Sequence, residues 1–525
     1  MSILKIENMS AGYWGTKVLQ NISLSIEQGE ILALVGESGS GKSTVIKSVM
    51  GLKSSHVKVS SGKIIFNGND MLSLKQEERR RLLGNDLCTV FQNPQTSMNP
   101  IRKIKKQFLE TIKSHKDVSD AEALRLIKDC FYKLGLSDAD RILESCPFEL
   151  SGGMCQRVAI ALAMVMEPKL ILADEPTSAL DVVSQLQVVE ELLLLKKNFK
   201  VAVLLVTHNI AVAEKVADKI AIMHAGKIVE FGDTGVVLGQ PKNDYTKSLL
   251  ADVPRIEAGQ REREKTETLL EANSIIKQYK VGDRKVDAVS GISFELEKGE
   301  ILGIVGESGS GKSTLARQLI RLETPNEGSI RIGTKNIADY KKKELLCLYT
   351  KAQMVFQNPV SSFDPRKTIR SSIKDAIKNL AGIRQSDEID KRINALMIRV
   401  GLNTELADRY PFQLSGGQCQ RSAIARAIAC DPQLLICDEA TSALDVTVQA
   451  GIVELLRSLV KSNNMSIIFI SHDIALVSGF CDRIMVMKNG KCVEYGPSSK
   501  VIKAPENEYT KTLIKAASIK GESSI

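Results

Sequence analysis

The nine residues GESGSGKST occur at 36–44 and return unchanged at 306–314. Each copy fits G-x-x-x-x-G-K-[ST], follows an apolar strand and opens a helical run, the context in which this pattern cradles phosphate. Its backbone N–H groups, at Gly36, Ser38, Gly39 and Gly41 and at Gly306, Ser308, Gly309 and Gly311, are free to curl around phosphate oxygens. The helix start at Thr44 or Thr314 adds a partial positive charge. Lys42 and Lys312 would bridge the β- and γ-phosphates, and Ser43 and Ser313 would hold Mg²⁺. The ligand this implies is ATP with its metal.

A pair of carboxylates comes at the end of a second apolar strand, in LADEPTSALD at 172–181 and ICDEATSALD at 437–446. Asp174 and Asp438 are placed to coordinate Mg²⁺ through water, and Glu175 and Glu439 to polarise an attacking water. Hydrolysis is the reaction this division of labour predicts. Between phosphate loop and carboxylates, LSGG at 150–153 and 414–417 precedes a strongly helical stretch. Ser151 and Ser415 suit N-caps, with Gly152, Gly153, Gly416 and Gly417 leaving the helix start open to an anion.

These motifs need elements to hold them. Short apolar, β-rich runs (ILALV, LILAD, VAVLLV; ILGIV, LLICD, SIIFI) alternate with helical patterns, which predicts an α/β fold with a mostly parallel central sheet. The more polar residues between FQNP and LSGG read as a helical subdomain. FQNP, LSGG, SALDV and a histidine (His208, His472) recur in the same order in both halves, with spacing that drifts by only a few positions. A unit of this length is a duplicated domain and not a solenoid repeat. We expect domains at 1–252 and 269–525, joined by a charged, exposed linker over 253–268.

Size and composition agree with that plan. A chain of 525 residues exceeds what one core supports, and its 43% hydrophobic and 25% charged residues are those of a globular protein. Ten cysteines without a C-x-x-C pair indicate neither a zinc site nor a disulfide framework. The net charge of +9 is dispersed, which marks a solvated surface more than a nucleic-acid face. The longest apolar run, VAIALAMVM at 158–166, stops at Glu167 and Pro168, well short of the roughly 18 residues that cross a bilayer. MSILKIENMSAGY at the N-terminus lacks the pattern of a signal peptide, so a cytosolic location is expected.

Over nearly its whole length the set resembles two fused nucleotide-binding domains of ATP-binding cassette (ABC) transporters, which implies two P-loop NTPase domains, each also carrying an antiparallel β part. In that family one domain's phosphate loop faces the LSGG of a second domain across the nucleotide. By resemblance, site one combines Lys42, Ser43, Gln92, Asp174, Glu175 and His208 with Ser415, Gly416 and Gly417. Site two combines Lys312, Ser313, Gln357, Asp438, Glu439 and His472 with Ser151, Gly152 and Gly153. Gln92 and Gln357 resemble the family's Q-loop glutamines, which touch Mg²⁺ and sense the membrane partner. His208 and His472 resemble its switch histidines at the γ-phosphate. Tyr13 and Tyr279 take the place of its adenine-stacking aromatic, with Trp14 competing in the first copy. Met154, where the second copy has Gln418, implies slower hydrolysis at site two.

FQNPQTSMNP and FQNPVSSFDPR are similar to the stretch after the Q-loop in the peptide, nickel and glutathione importer branch. PKNDYTKSLL and PENEYTKTLI resemble its C-terminal Pro-x-x-Pro-Tyr-Thr element, with Asp244 and Glu508 in place of the second proline. Tyr245 and Tyr509 in these tails fit either packing of a terminal helix or regulation. The resemblance implies an ATPase at the cytoplasmic face of the cell membrane, energising import of peptides, opine-type metallophores or nickel and other metal chelates. Its partners would be two transmembrane permease subunits and an extracytoplasmic substrate-binding protein, with no nucleic acid. The competing function is a soluble tandem ATPase acting on ribosome or DNA; the short linker and the two histidines favour transport.

Overall fold

The computed structural model describes residues 2–52, 56–178, 180–257, 266–281, 284–333, 335–441 and 444–518. Most of the expected linker, 258–265, lies outside them. The chain divides into two compact units, Met1–Val253 and Pro254–Ser518.

In the first unit the strands are β1 (Ser2–Tyr13), β2 (Thr16–Glu27), β3 (Ile31–Val35), β4 (Val57–Phe66), β5 (Asn69–Asp70), β6 (Leu87–Val90), β7 (Leu170–Asp174), β8 (Ala202–Thr207), β9 (Lys219–His224) and β10 (Lys227–Asp233). The central sheet runs β10-β9-β3-β8-β7-β6 and is parallel apart from the β9–β10 pair. Its inner strands are covered on both faces, which is why ILALV and AVLLVT are apolar at nearly every position. A second, antiparallel sheet, β2-β1-β4-β5, shares a core with the first face through Leu4, Ile6, Leu34, Phe66 and Leu204. Helices Ile104–Lys113, Asp120–Lys133 and Ala139–Glu144 form the helical insert, whose Phe108 and Phe131 pack edge to face at 5.4 Å.

The second unit repeats the plan with β11 (Thr268–Val281), β12 (Arg284–Glu297), β13 (Ile301–Val305), β14 (Glu327–Ile332), β15 (Lys335–Asn336), β16 (Ala352–Val355), β17 (Leu434–Asp438), β18 (Ser466–Ser471), β19 (Arg483–Lys488) and β20 (Lys491–Pro497). Its sheets run β16-β17-β18-β13-β19-β20 and β12-β11-β14-β15. Ile369–Ala376 and Ser386–Arg399 supply the insert. The described ends of the expected linker are tied down: Glu257 N donates to Ser478 Oγ (3.2 Å) and Thr266 N to Glu297 Oε2 (2.9 Å).

Neighbouring β3, β8 and β7 (and β13, β18 and β17) all end at one edge of their sheet. Ligands of open α/β sheets bind beyond such carboxyl ends, and the phosphate loop, the Asp-Glu pair and the histidine of each unit leave the sheet there.

Candidate active site

The chain leaves β3 through the phosphate loop and enters helix Lys42–Met50, and leaves β13 likewise for Lys312–Leu319. Gly41 and Gly311 sit just before these helices at φ 103° and 98°. A Cβ at Gly311 would lie 2.0 Å from the Ala288 carbonyl oxygen, so no other residue fits. No side chain caps either helix, which keeps its positive end available to an anion. Ser38 and Ser308 are exposed on the loop. The buried ammonium of Lys42 folds back to donate to Gly36 O (2.6 Å) and Glu37 O (2.8 Å). Lys312 does the same to Gly306 O (2.8 Å) and Glu307 O (2.7 Å).

One residue into each helix, Ser43 Oγ donates to Asp174 Oδ1 (3.0 Å) and Ser313 Oγ to Asp438 Oδ1 (2.9 Å). Burial pushes both aspartate carboxyls above their ordinary value, against the opposing pull of the serine hydrogen bonds. A hydroxyl and a carboxylate this close form a hard-oxygen donor set, the chemistry Mg²⁺ takes.

Glu175 and Glu439 adopt left-handed backbone, φ 48° and 47°. Their amides are pinned to the adjacent strand, Glu175 N to Val206 O (2.8 Å) and Glu439 N to Ile470 O (3.0 Å). A bulky residue in this region stores roughly 1–3 kcal/mol of strain, of the kind that gathers at functional sites. Gln92 Nε2 donates to Glu175 Oε2 (2.9 Å), and His208 Nδ1 lies 3.3 Å from the same oxygen. In the second unit Gln357 Nε2 donates to Glu439 Oε2 (2.7 Å), with His472 Nδ1 at 4.0 Å. Burial pushes the Glu175 carboxyl up, but His208 and then Lys42 outweigh it and hold the group below the usual carboxylate range. Each histidine is fixed by the residue after it: Asn209 and Asp473 cap the next helix through Ala211 N (3.1 Å) and Ala475 N (2.9 Å).

Ser151 and Ser415 are N-caps, accepting from Met154 N and Gln418 N at 3.3 Å. Gln418 returns the bond, its Oε1 accepting from Ser415 N at 3.0 Å, which closes a capping box that Met154 has no atom to make. Ser151, Gly152, Ser415 and Gly416 are exposed. Gly153 and Gly417 are small for a packing reason: a Cβ there would meet Ser184 Oγ at 2.7 Å and Val448 Cγ1 at 2.5 Å.

Tyr13 and Tyr279 close the site on the antiparallel sheet. The Tyr13 hydroxyl lies 3.5 Å from Thr44 Oγ1, while that of Tyr279 meets Thr314 and donates to Glu323. Trp14, 84% exposed, stacks on His56 at 5.7 Å. Each unit thus gathers lysine, serine, aspartate, glutamate, glutamine and histidine at one sheet edge. Glu323 went unnoticed in the sequence, because a lone acid so far from Tyr279 carries no pattern.

The family described as ABC transporter matches residues 19–178 and 289–442, and that described as oligopeptide/dipeptide transporter, C-terminal region, matches 229–279 and 493–523. The peptidoglycan transport ATP-binding protein YejF of Agrobacterium fabrum is 39% identical over 510 residues, spanning 95% of this chain and 92% of its own. An uncharacterized ABC transporter ATP-binding protein YejF of Escherichia coli is 38% identical, spanning 98% and 99%. The glutathione import ATP-binding protein GsiA of Salmonella typhimurium is 36% identical, spanning 95% and 86%.

Proposed function

This chain belongs to the ABC transporter family, as an ATPase with two fused cassettes, and from that premise we propose that it energises an importer of peptide-class cargo. The observation that carries the proposal is the doubled constellation, Lys42–Ser43–Asp174–Glu175–Gln92–His208 and its counterpart, joined in each unit to the oligopeptide-type C-terminal region.

In this reading each phosphate loop binds the triphosphate of ATP, and Tyr13 or Tyr279 stacks on the base. Ser43 and Asp174, with Gln92, hold Mg²⁺ in the first unit, and Ser313, Asp438 and Gln357 in the second; the ion when bound neutralises phosphate charge. Glu175 is ionised at neutral pH, as its depressed value requires, and takes a proton from water as general base. Both its contacts fall on Oε2, so Oε1 is the atom that receives the proton. His208 and His472 orient the carboxylate and the γ-phosphate. Ser415, Gly416 and Gly417 complete the first site, and Ser151, Gly152 and Gly153 the second, the two units working head to tail.

No described helix is long and apolar enough to cross a membrane. We assign the chain to the cytoplasmic face, bound to two permease subunits that a substrate-binding protein supplies. The oligopeptide/dipeptide family match and the glutathione import relative favour a peptide or glutathione-like cargo over a nickel chelate or an opine-type metallophore. Affinity capture of the chain from detergent-solubilised native membranes tests this. Two permeases and a binding protein are expected, and the ligand of that binding protein identifies the cargo. Recovery of ribosomal or DNA-repair proteins without a membrane protein would overturn it.

A further inference from the structure

The second unit ends in helix Glu508–Ser518, which packs along Ile474–Phe480, the helix that comes after His472. Its start is fixed twice. Asn507 Oδ1 accepts from Tyr509 N (2.9 Å), and the Glu494 carboxylate of β20 accepts from Glu506 N (3.0 Å) and Asn507 N (3.2 Å). So held, the nearly buried Tyr509 turns its ring under the Lys488 ammonium, 4.5 Å from the centroid. Its hydroxyl accepts a hydrogen bond from Glu307 N at 3.0 Å.

Glu307 is a phosphate-loop residue, and its carbonyl is one of the two that hold the Lys312 ammonium. One continuous relay therefore runs from the C-terminal helix through the Tyr509 hydroxyl and the 306–307 peptide, whose Gly306 carbonyl accepts from the ammonium, to Lys312. The Tyr509 bond fixes the rotation of the 306–307 peptide, on which the direction of the neighbouring amides depends. A loop that binds by backbone N–H groups is sensitive to that rotation.

We propose that the C-terminal helix of the second unit shapes that unit's own phosphate loop, with Tyr509 as the positioning residue. The element identified with the oligopeptide-type C-terminal region is thereby part of the support of the nucleotide site. The first unit is built differently at the corresponding place: the Tyr245 ring packs on the His224 ring, with centroids 4.0 Å apart, where the second unit has Lys488. The inference rests on the reading of Lys312 as a phosphate ligand.

The test uses the full chain carrying Lys42→Ala, which leaves the second loop as the ATP-binding one. Tyr509→Phe removes only the hydroxyl. It is expected to raise the ATP Kd about ten-fold, with the melting temperature nearly unchanged and faster amide exchange over 306–311. In the same background, Lys312→Ala that leaves ATP affinity intact would overturn the reading of Lys312. Loss of affinity in Lys312→Ala together with a Tyr509→Phe Kd within two-fold of its parent would overturn the inference alone. Should Tyr509→Phe misfold, exchange in the unaltered helix decides: ATP must slow exchange over 508–518, and no change there overturns the proposal.

Discussion

At the scale of single residues, two carboxylates of each site are driven apart by their surroundings. Asp174 is raised by burial and Glu175 is lowered by His208, although the two are adjacent in sequence. The first suits an ion and the second a base. Glu175→Gln with Glu439→Gln keeps size and hydrogen bonding while removing the base, so the pair is expected to lower ATP turnover at least about 100-fold. ATP affinity should stay within two-fold, as read by a fluorescent nucleotide. Met154→Gln supplies the side chain that closes the box at Ser415 in the other unit. We expect it to raise the melting temperature slightly and to speed turnover about two-fold in a Glu175→Gln background. Unchanged turnover there would show that the open cap does not slow the second site.

Among elements, the two units differ along the helix behind LSGG. In the first, Arg157 of Gly152–Met164 pairs with the buried Glu191 of Val182–Leu194. Burial pushes Glu191 up to about 7, more than Arg157 pulls it down. A carboxyl raised by folding stabilises most when protonated, so its contribution is full below about pH 4.5 and is lost as pH rises through about 7. The first unit's melting temperature should therefore decline between pH 5 and 8, and Glu191→Gln should flatten that decline. In the second unit the matching Arg421 donates to Val400 O (2.7 Å), and Arg426, further along the helix, donates to Ser362 O (2.7 Å) and lies 4.3 Å over Phe363, tying LSGG's helix to the segment after Gln357. The order of strands and helices was legible in the sequence because buried parallel strands are uniformly apolar and the motifs punctuate their ends. Arg426–Ser362, Tyr279–Glu323 and Tyr509–Glu307 were not, since each joins residues far apart in the chain whose types fit a surface equally well. The cluster of Ser43 with Asp174 was readable because motif and strand end both point to one sheet edge; the left-handed glutamates were not, because nothing in DEP or DEA signals positive φ.

For the whole molecule, the proposed head-to-tail pairing predicts a crossed phenotype. Gly416→Asp lies in the second unit, yet it should lower hydrolysis at the Lys42 site at least ten-fold. Each site's own turnover can be followed by combining the change with Glu439→Gln or Glu175→Gln. Loss confined to the Lys312 site would exclude the pairing. A different consequence attaches to the twisted backbone at Glu175 and Glu439. Each unit carries one of the two, and its roughly 1–3 kcal/mol is a sizeable share of the about 5–15 kcal/mol by which a domain stays folded. Replacing both by glycine should relax the chain and raise its melting temperature while leaving it inert. At these two positions durability and the proposed consumption of fuel therefore pull in opposite directions, since the change that relaxes the backbone also removes the proposed base.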